Sequence, residues 1–258
     1  MGIEYILDCD CALRQEYGLD GMTEMFKHKN RVDTLYDIIK QTEPDKDINE
    51  VTYVHEKQTG GQTVRVTENL GEMKKKTDAF TEKLKVCSDC PCNLVLRHGE
   101  THEGMGCYRA ISYPIDAIAE NILVRAGRWI VANPGKMPYA DLFIKFIEEK
   151  KITGKSIENL RKSNAPHPFF ELKNAPGFSY GKMFRKSKIN TNQMWAVLTT
   201  PRIPHSYSPM LFEFLEAFAL VMNDESNFRS SNTTLELLIL DQLMKKAVMN
   251  KVDVLVHV

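Results

Sequence analysis

Residues 50–68 read E-V-T-Y-V-H-E-K-Q-T-G-G-Q-T-V-R-V-T-E, and this stretch predicts more about the fold than any other. Its two halves each alternate β-branched and polar residues, and the pair Gly60 and Gly61 separates them. Two alternating runs around a Gly-Gly turn are typical of a β-hairpin, because glycine adopts the positive φ angles of a tight turn. A hairpin near residues 50–68 is therefore the first element that the sequence predicts.

Helices are predicted on both sides of this hairpin, some from apolar residues at helical spacing, some from signals at their first residues, and residues 73–85 from a charged run. The predicted helices cover residues 19–41, 73–85, 115–131, 140–150, 209–222 and 233–249. The last of them is expected to begin with a capping box of Thr233 and Glu236. Extended segments are predicted over residues 3–7, 108–114, 194–199 and 252–258.

The order of these elements sets the fold class. Strands and helices mix without a regular βαβ rhythm, so the sequence predicts an α+β fold, or an irregular α/β fold, with a mixed sheet. The chain is expected to end in a helix–strand unit. The N-P-G string at residues 133–135 is a candidate boundary. It divides an α+β half, residues 1–132, from a mainly helical half, residues 136–258, and one compact domain is the alternative.

The composition limits the classes of partner. The chain has 34 basic and 34 acidic residues, so its net charge does not favour nucleic acid or an anionic membrane. No apolar run approaches the roughly 18 residues of a membrane span, and the acidic start does not resemble a secretory signal. A cytoplasmic location is expected, where thiols stay reduced and clustered cysteines serve as ligands or catalysts more often than as disulfides.

A cysteine cluster is the main candidate for chemistry. Four of the six cysteines, Cys87, Cys90, Cys92 and Cys107, fall within residues 87–107. Four thiolates brought together by a C-x-x-C turn and a returning glycine-bearing loop predict a structural zinc site. A 4Fe–4S cluster is the alternative, since four cysteines suit it also. The further candidate ligands are Cys9, Cys11, His98 and His102. A redox C-x-x-C is another interpretation, although Asp89 does not favour the thiolate that such a motif needs.

A second motif lies inside the same segment. Residues 95–101 read V-L-R-H-G-E-T, which resembles the signature of the histidine phosphatase and phosphoglycerate mutase family. The resemblance covers these seven residues. It implies an α/β domain in which His98 accepts the phosphoryl group and Arg97 binds its oxygens.

These motifs leave three functions open. The leading prediction is a cytoplasmic zinc protein with a binding or regulatory role, because no complete catalytic constellation can be assembled from the chain. The first alternative is an enzyme, either of the phosphatase type or a metal-dependent hydrolase that uses His98, His102 or Glu103. The second is an iron–sulfur protein for electron transfer or sensing. The sequence does not identify the partner; a protein partner is compatible with the binding role.

Overall fold

The computed structural model describes residues 2–59, 62–87, 89–93, 106–112, 115–149, 175–181, 187–223 and 231–257. In these ranges the α-helices are α1 (Ala12–Thr42), α2 (Leu70–Leu84), α3 (Ala117–Ala132), α4 (Pro138–Glu149), α5 (Thr191–Leu198), α6 (Ser208–Asn223) and α7 (Asn232–Asn250). The strands are β1 (Gly2–Leu7), β2 (Thr52–Thr59), β3 (Gln62–Asn69), β4 (Tyr108–Ser112), β5 (Gly177–Tyr180), β6 (Ser187–Asn190), β7 (Arg202–Ile203) and β8 (Val254–His257). The chain is therefore a mixed helix-and-sheet protein, consistent with the α+β prediction.

The contacts divide the chain into two compact units. Unit 1 comprises Met1–Cys9 and Cys107–Val258, and unit 2 comprises Asp10–Gly106. The boundary predicted at residues 133–135, between residues 1–132 and residues 136–258, stays a prediction. In the structure this N-P-G string follows directly on the end of α3.

Unit 1 contains a four-stranded antiparallel sheet with the order β4-β1-β8-β7. The inner strand β1 pairs with β4 and with β8, and its apolar residues Ile3, Tyr5, Ile6 and Leu7 are completely buried. A short run of consecutive apolar residues is typical of a strand that is buried on both faces. The N-terminal strand and the C-terminal strand of the chain are thus hydrogen-bonded neighbours.

Helix α6 packs against three other helices of unit 1. This helix contacts α3, α4 and α7, and α7 in turn lies against β4. Phe214 on α6 is completely buried and stacks on Phe143 of α4 with 4.1 Å between the ring centroids. The hairpin of β5 and β6 lies against α3 through β5. These contacts form the helical layer of the unit 1 core.

Unit 2 contains the predicted hairpin and two helices. Strands β2 and β3 pair from Thr52 opposite Asn69 to Thr59 opposite Gln62, as the sequence predicts. Helices α1 and α2 pack on each other, and Phe26 of α1 meets Phe80 of α2 edge to face at 5.3 Å. Helix α1 begins earlier than predicted, at Ala12, but Gly18 breaks it with a φ of 67°.

Two local predictions are corrected by the structure. The segment around residues 194–199 is not a strand, because it belongs to helix α5. Asn190 caps α5 by accepting a hydrogen bond from the Gln193 N–H, and the Gln193 side chain accepts one from the Asn190 N–H. The capping box of α7 uses Ser231 and Thr234. The Glu236 carboxylate instead accepts hydrogen bonds from the N–H and hydroxyl of Ser112 on β4.

Gly127 on α3 provides a test of packing in unit 1. A Cβ atom at Gly127 would clash with the buried ring of Phe178 on β5. We expect Gly127→Ala to lower the free energy of unfolding by about 1–2 kcal/mol, although alanine favours helices, because overpacking displaces the ring. Urea unfolding followed by circular dichroism measures this change.

The matched control is Gly21→Ala in α1. A Cβ atom there would lie 3.5 Å from the Tyr17 Cβ, which is an ordinary contact. We expect this variant to be as stable as the wild type or more stable, by up to about 1 kcal/mol. Adding Phe178→Leu to Gly127→Ala should restore part of the loss. Equal stability of the two glycine variants would contradict the close approach of Phe178.

Candidate functional site

The segment that follows α2 carries three of the cysteines. A 3₁₀ turn at Lys85–Cys87 extends the helix, and the Cys90 N–H then donates to the Cys87 carbonyl at 3.0 Å. The Asn93 N–H donates to the Cys90 carbonyl at 2.8 Å, so two turns follow one another. Cys87 and Cys92 are buried, whereas Cys90 is partly exposed.

Cys11 belongs to the same unit 2 as this segment. Residue 11 is the N-cap of α1, in an extended conformation, and its side chain makes no capping hydrogen bond. Burial raises the pKa of Cys87 to about 11, and Coulombic interactions with Cys11 and Cys90 add to this rise. A side chain at Gly106 would approach the Cys87 sulfur, since its Cβ would lie 3.5 Å from Sγ.

The bonding state of the cysteines corrects the metal prediction. Cys9 and Cys92 form a disulfide, and Cys11, Cys87, Cys90 and Cys107 are reduced. A sulfur in a disulfide is not a thiolate and does not bind zinc as one. No group of three or more His, Cys, Asp or Glu side chains that could hold a metal ion occurs among the described residues. The predictions of zinc at Cys87, Cys90, Cys92 and Cys107, and of a 4Fe–4S cluster, are therefore wrong.

The two predicted functions that required a bound metal are also corrected. The prediction of a zinc protein and the iron–sulfur alternative are contradicted by the disulfide. The expectation that clustered cysteines are not disulfides also fails for Cys9 and Cys92. The phosphatase motif with Arg97 and His98, and the candidate ligand His102, lie outside the described residues.

The remaining two cysteines lie next to strands of the unit 1 sheet. The Leu7 N–H donates to the Cys107 carbonyl at 3.0 Å, and the Cys9 N–H donates to the Leu7 carbonyl at 2.8 Å. Cys107 immediately precedes β4, and Cys9 follows β1 by two residues. Both side chains are buried. The neighbouring strands β1 and β4 thus fix the backbone near Cys9.

A charged cluster that sequence reasoning missed lies at the same end of β1. The Asp253 carboxylate accepts hydrogen bonds from the Arg202 Nε at 2.7 Å and from the His205 N–H at 2.8 Å. Because an ionised carboxylate only accepts hydrogen bonds, the His205 Nδ1 at 3.2 Å from the Asp253 carboxylate is the donor. Arg202 also reaches Asp8 at 3.4 Å. The cluster links residues in or next to β1, β7 and β8. Its members are far apart in sequence, so no local sequence motif predicts it.

The Asp253 carboxylate gives a prediction for pH dependence. The N–H donors of His205 and the Arg202 guanidinium hold the pKa of Asp253 below its usual value, against the opposing effect of burial. Its stabilising contribution is therefore complete above the unfolded pKa of about 3.9 and is lost as the pH falls through the lower folded pKa. We expect Asp253→Asn to cost about 1–2 kcal/mol at pH 7.

Urea unfolding at a series of pH values tests this assignment. The difference between the wild type and Asp253→Asn should shrink as the pH falls below about 4, because the wild-type carboxyl is then protonated as well. Asp45→Asn, at an exposed position, is the control and should change stability little at any pH. A deficit of Asp253→Asn that stays constant down to pH 2 would contradict the role of the charge.

Comparisons with known proteins identify no relative of this chain. No protein-family model, no curated protein and no solved structure matches this chain. None of the described helices is both long and apolar enough to cross a bilayer.

Proposed function

We propose that this chain is a cytoplasmic redox-responsive protein whose Cys9–Cys92 disulfide forms and breaks by thiol–disulfide exchange. The observation that carries the proposal is the mixed state of the cysteines, one disulfide together with four reduced cysteines. In an oxidising compartment, partly exposed thiols such as Cys11 and Cys90 tend to be oxidised. In the cytosol most thiols stay reduced, and the disulfides that do form are usually transient and catalytic or redox-sensing.

The burial of the sulfurs favours a sensor over an enzyme that oxidises other proteins. Disulfide oxidoreductases present an exposed thiol of low pKa to their protein substrates. Here Cys9 is 5% exposed and Cys92 is 4% exposed, so a folded protein substrate has no access to the disulfide. Burial also raises the pKa of Cys87 to about 11, which keeps this thiol protonated at neutral pH. The signal that fits this site is a small molecule, either a low-molecular-weight thiol or its disulfide.

Formation or reduction of the Cys9–Cys92 disulfide changes the conformational entropy of the unfolded chain. The disulfide closes a long loop between Cys9 and Cys92, and such a bond restricts the unfolded chain more than the folded one. Oxidation should therefore stabilise the folded protein, and reduction should lower its stability and lifetime. The redox state of the disulfide would then set the stability of the protein. Such regulation needs no bound cofactor.

A redox titration tests the proposed function. The full-length protein is equilibrated in buffers of reduced and oxidised glutathione, quenched with acid and alkylated, and the fraction of oxidised Cys9 and Cys92 is measured by mass spectrometry. We expect one two-electron transition with a midpoint between about −200 and −300 mV. Cys107→Ser should titrate like the wild type. A disulfide that stays oxidised in the most reducing buffer would be purely structural and would contradict the proposal.

A further inference from the structure

Two thiols in the segment after α2, Cys87 and Cys90, form a pair that the proposed function does not use. Both are reduced, and neither belongs to the Cys9–Cys92 disulfide. Both lie in unit 2, at the two ends of one C-x-x-C turn. Two reduced cysteines at this spacing are the chemical groups of a second redox site.

The backbone brings these two cysteines to a separation that a disulfide can bridge. The Cys90 N–H donates to the Cys87 carbonyl at 3.0 Å, which closes a four-residue turn. In such a turn the first and last Cα atoms lie within about 7 Å of each other. Disulfides join residues whose Cα atoms are about 4.4–6.8 Å apart. The turn therefore holds Cys87 and Cys90 close enough for a bond between their sulfurs.

The two thiols differ in their access to solvent. Cys90 is partly exposed, whereas Cys87 is 5% exposed. The backbone at Gly106 lies against the Cys87 sulfur, since a Cβ atom there would be 3.5 Å from Sγ. Thiol–disulfide exchange requires access to the attacking sulfur. A small disulfide in solution therefore reacts first at Cys90, and the oxidation reaches Cys87 through Cys90.

We propose that Cys87 and Cys90 are a second redox site, at which small disulfides such as oxidised glutathione convert the two thiols into a Cys87–Cys90 disulfide. The inference goes beyond the proposed function, because the reaction uses neither Cys9 nor Cys92. The exposed Asp89 lies between the two cysteines, and its negative charge disfavours their thiolates. The pair is therefore suited to respond slowly to oxidised small molecules.

The reaction balances in two displacements. First, the Cys90 thiolate attacks one sulfur of oxidised glutathione, a mixed disulfide of Cys90 with glutathione forms, and one glutathione thiolate leaves and takes a proton from water. Second, Cys87 gives its proton to water and its thiolate attacks the Cys90 sulfur. The Cys87–Cys90 disulfide forms, and the second glutathione leaves as a thiolate. Two protein thiols are oxidised to one disulfide, and one glutathione disulfide is reduced to two glutathione thiols.

The burial of Cys87 gives the second displacement a characteristic pH dependence. Burial raises the pKa of Cys87 to about 11, so below this pH its thiolate fraction rises about tenfold for each pH unit. The rate of exchange follows the thiolate fraction of the attacking sulfur. We therefore expect the mixed disulfide on Cys90 to close about tenfold faster for each pH unit between about 7 and 9.

The experiment follows both displacements by mass spectrometry. Wild-type protein, Cys87→Ser and Cys90→Ser are incubated without reductant in excess oxidised glutathione at several pH values, quenched with acid at intervals, alkylated and digested with trypsin without reduction. In the wild type we expect a glutathione adduct on Cys90, which is then replaced by a disulfide within the peptide of residues 86–97. Cys87→Ser should keep the adduct on Cys90. In Cys90→Ser, Cys87 should be oxidised at least about tenfold more slowly, because it is buried.

Cys11→Ser is the matched control, because Cys11 is a partly exposed thiol of the same unit outside the C-x-x-C turn. It should form the Cys87–Cys90 disulfide within about twofold of the wild-type rate. In the wild type, a Cys90 adduct that never closes, a disulfide that joins Cys87 to Cys11, or a closure rate that does not rise with pH would overturn the inference. These three readouts need only the wild type, so they decide the question even if a serine variant does not fold.

Discussion

Reduction with dithiothreitol is expected to lower the free energy of unfolding of the wild-type protein by about 4 kcal/mol. The Cys9–Cys92 disulfide closes a long loop. Reducing the bond raises the conformational entropy of the unfolded chain more than that of the folded chain. Unfolding by urea, followed by circular dichroism with and without the reductant, measures the difference.

The double variant Cys9→Ser/Cys92→Ser separates this effect from other actions of the reductant. We expect the variant to be destabilised about as much as the reduced wild type, and dithiothreitol to have no further effect on it. The four cysteines that remain in the variant are not in disulfides in the wild type, so the variant contains no disulfide for dithiothreitol to reduce. Loss of stability in the variant on adding the reductant, or no loss in the wild type, would contradict the pairing.

Phe214→Ala is expected to lower the free energy of unfolding by about 3–5 kcal/mol. The Phe214 ring is completely buried and stacks on Phe143, with 4.1 Å between centroids and 27° between the ring planes. Its helix α6 also contacts α3 and α7, so truncation leaves a cavity in the middle of the helical layer of unit 1. Thermal and urea unfolding of the purified variant measure the loss.

Leu220→Ala in the same helix is the matched control. The Leu220 side chain is 40% exposed, and alanine is the stronger helix former, so we expect a change within about 1 kcal/mol. The contrast between the two variants tests the orientation of α6. Similar losses for both would show that α6 does not direct Phe214 into the core.

The sequence predicted the elements whose signals are local. The alternation around Gly60 and Gly61 predicted the hairpin of β2 and β3, and the terminal apolar runs predicted β1 and β8. Apolar periodicity predicted α3 and α4, signals at the N-terminus predicted α6 and α7, and a charged run predicted α2, with only small shifts at their ends. The run from Met194 failed because a short apolar segment fits a buried helix as well as a strand. The Asn190 and Gln193 capping pair was the signal that would have decided it.

The candidate site was only partly predictable. The spacing of Cys87, Cys90 and Cys92 predicted a metal site, and the disulfide at Cys92 contradicts it, because spacing does not distinguish a metal from a disulfide. The choice depends on Cys9, whose position is set by the pairing of β1 with β4 and β8 over long sequence distances. The cluster of Asp253, Arg202 and His205 was missed for the same reason, since only the sheet brings its members together.

Direct mapping of the cysteines tests the central claim most sharply. Full-length protein is quenched in acid, alkylated and digested without reduction, and the cross-linked peptides are identified by mass spectrometry. Our account predicts one peptide pair that joins Cys9 to Cys92, which disappears after treatment with reduced glutathione and returns with oxidised glutathione. Alkylation of both Cys9 and Cys92 in every buffer, or a pair that never responds to glutathione, would contradict it.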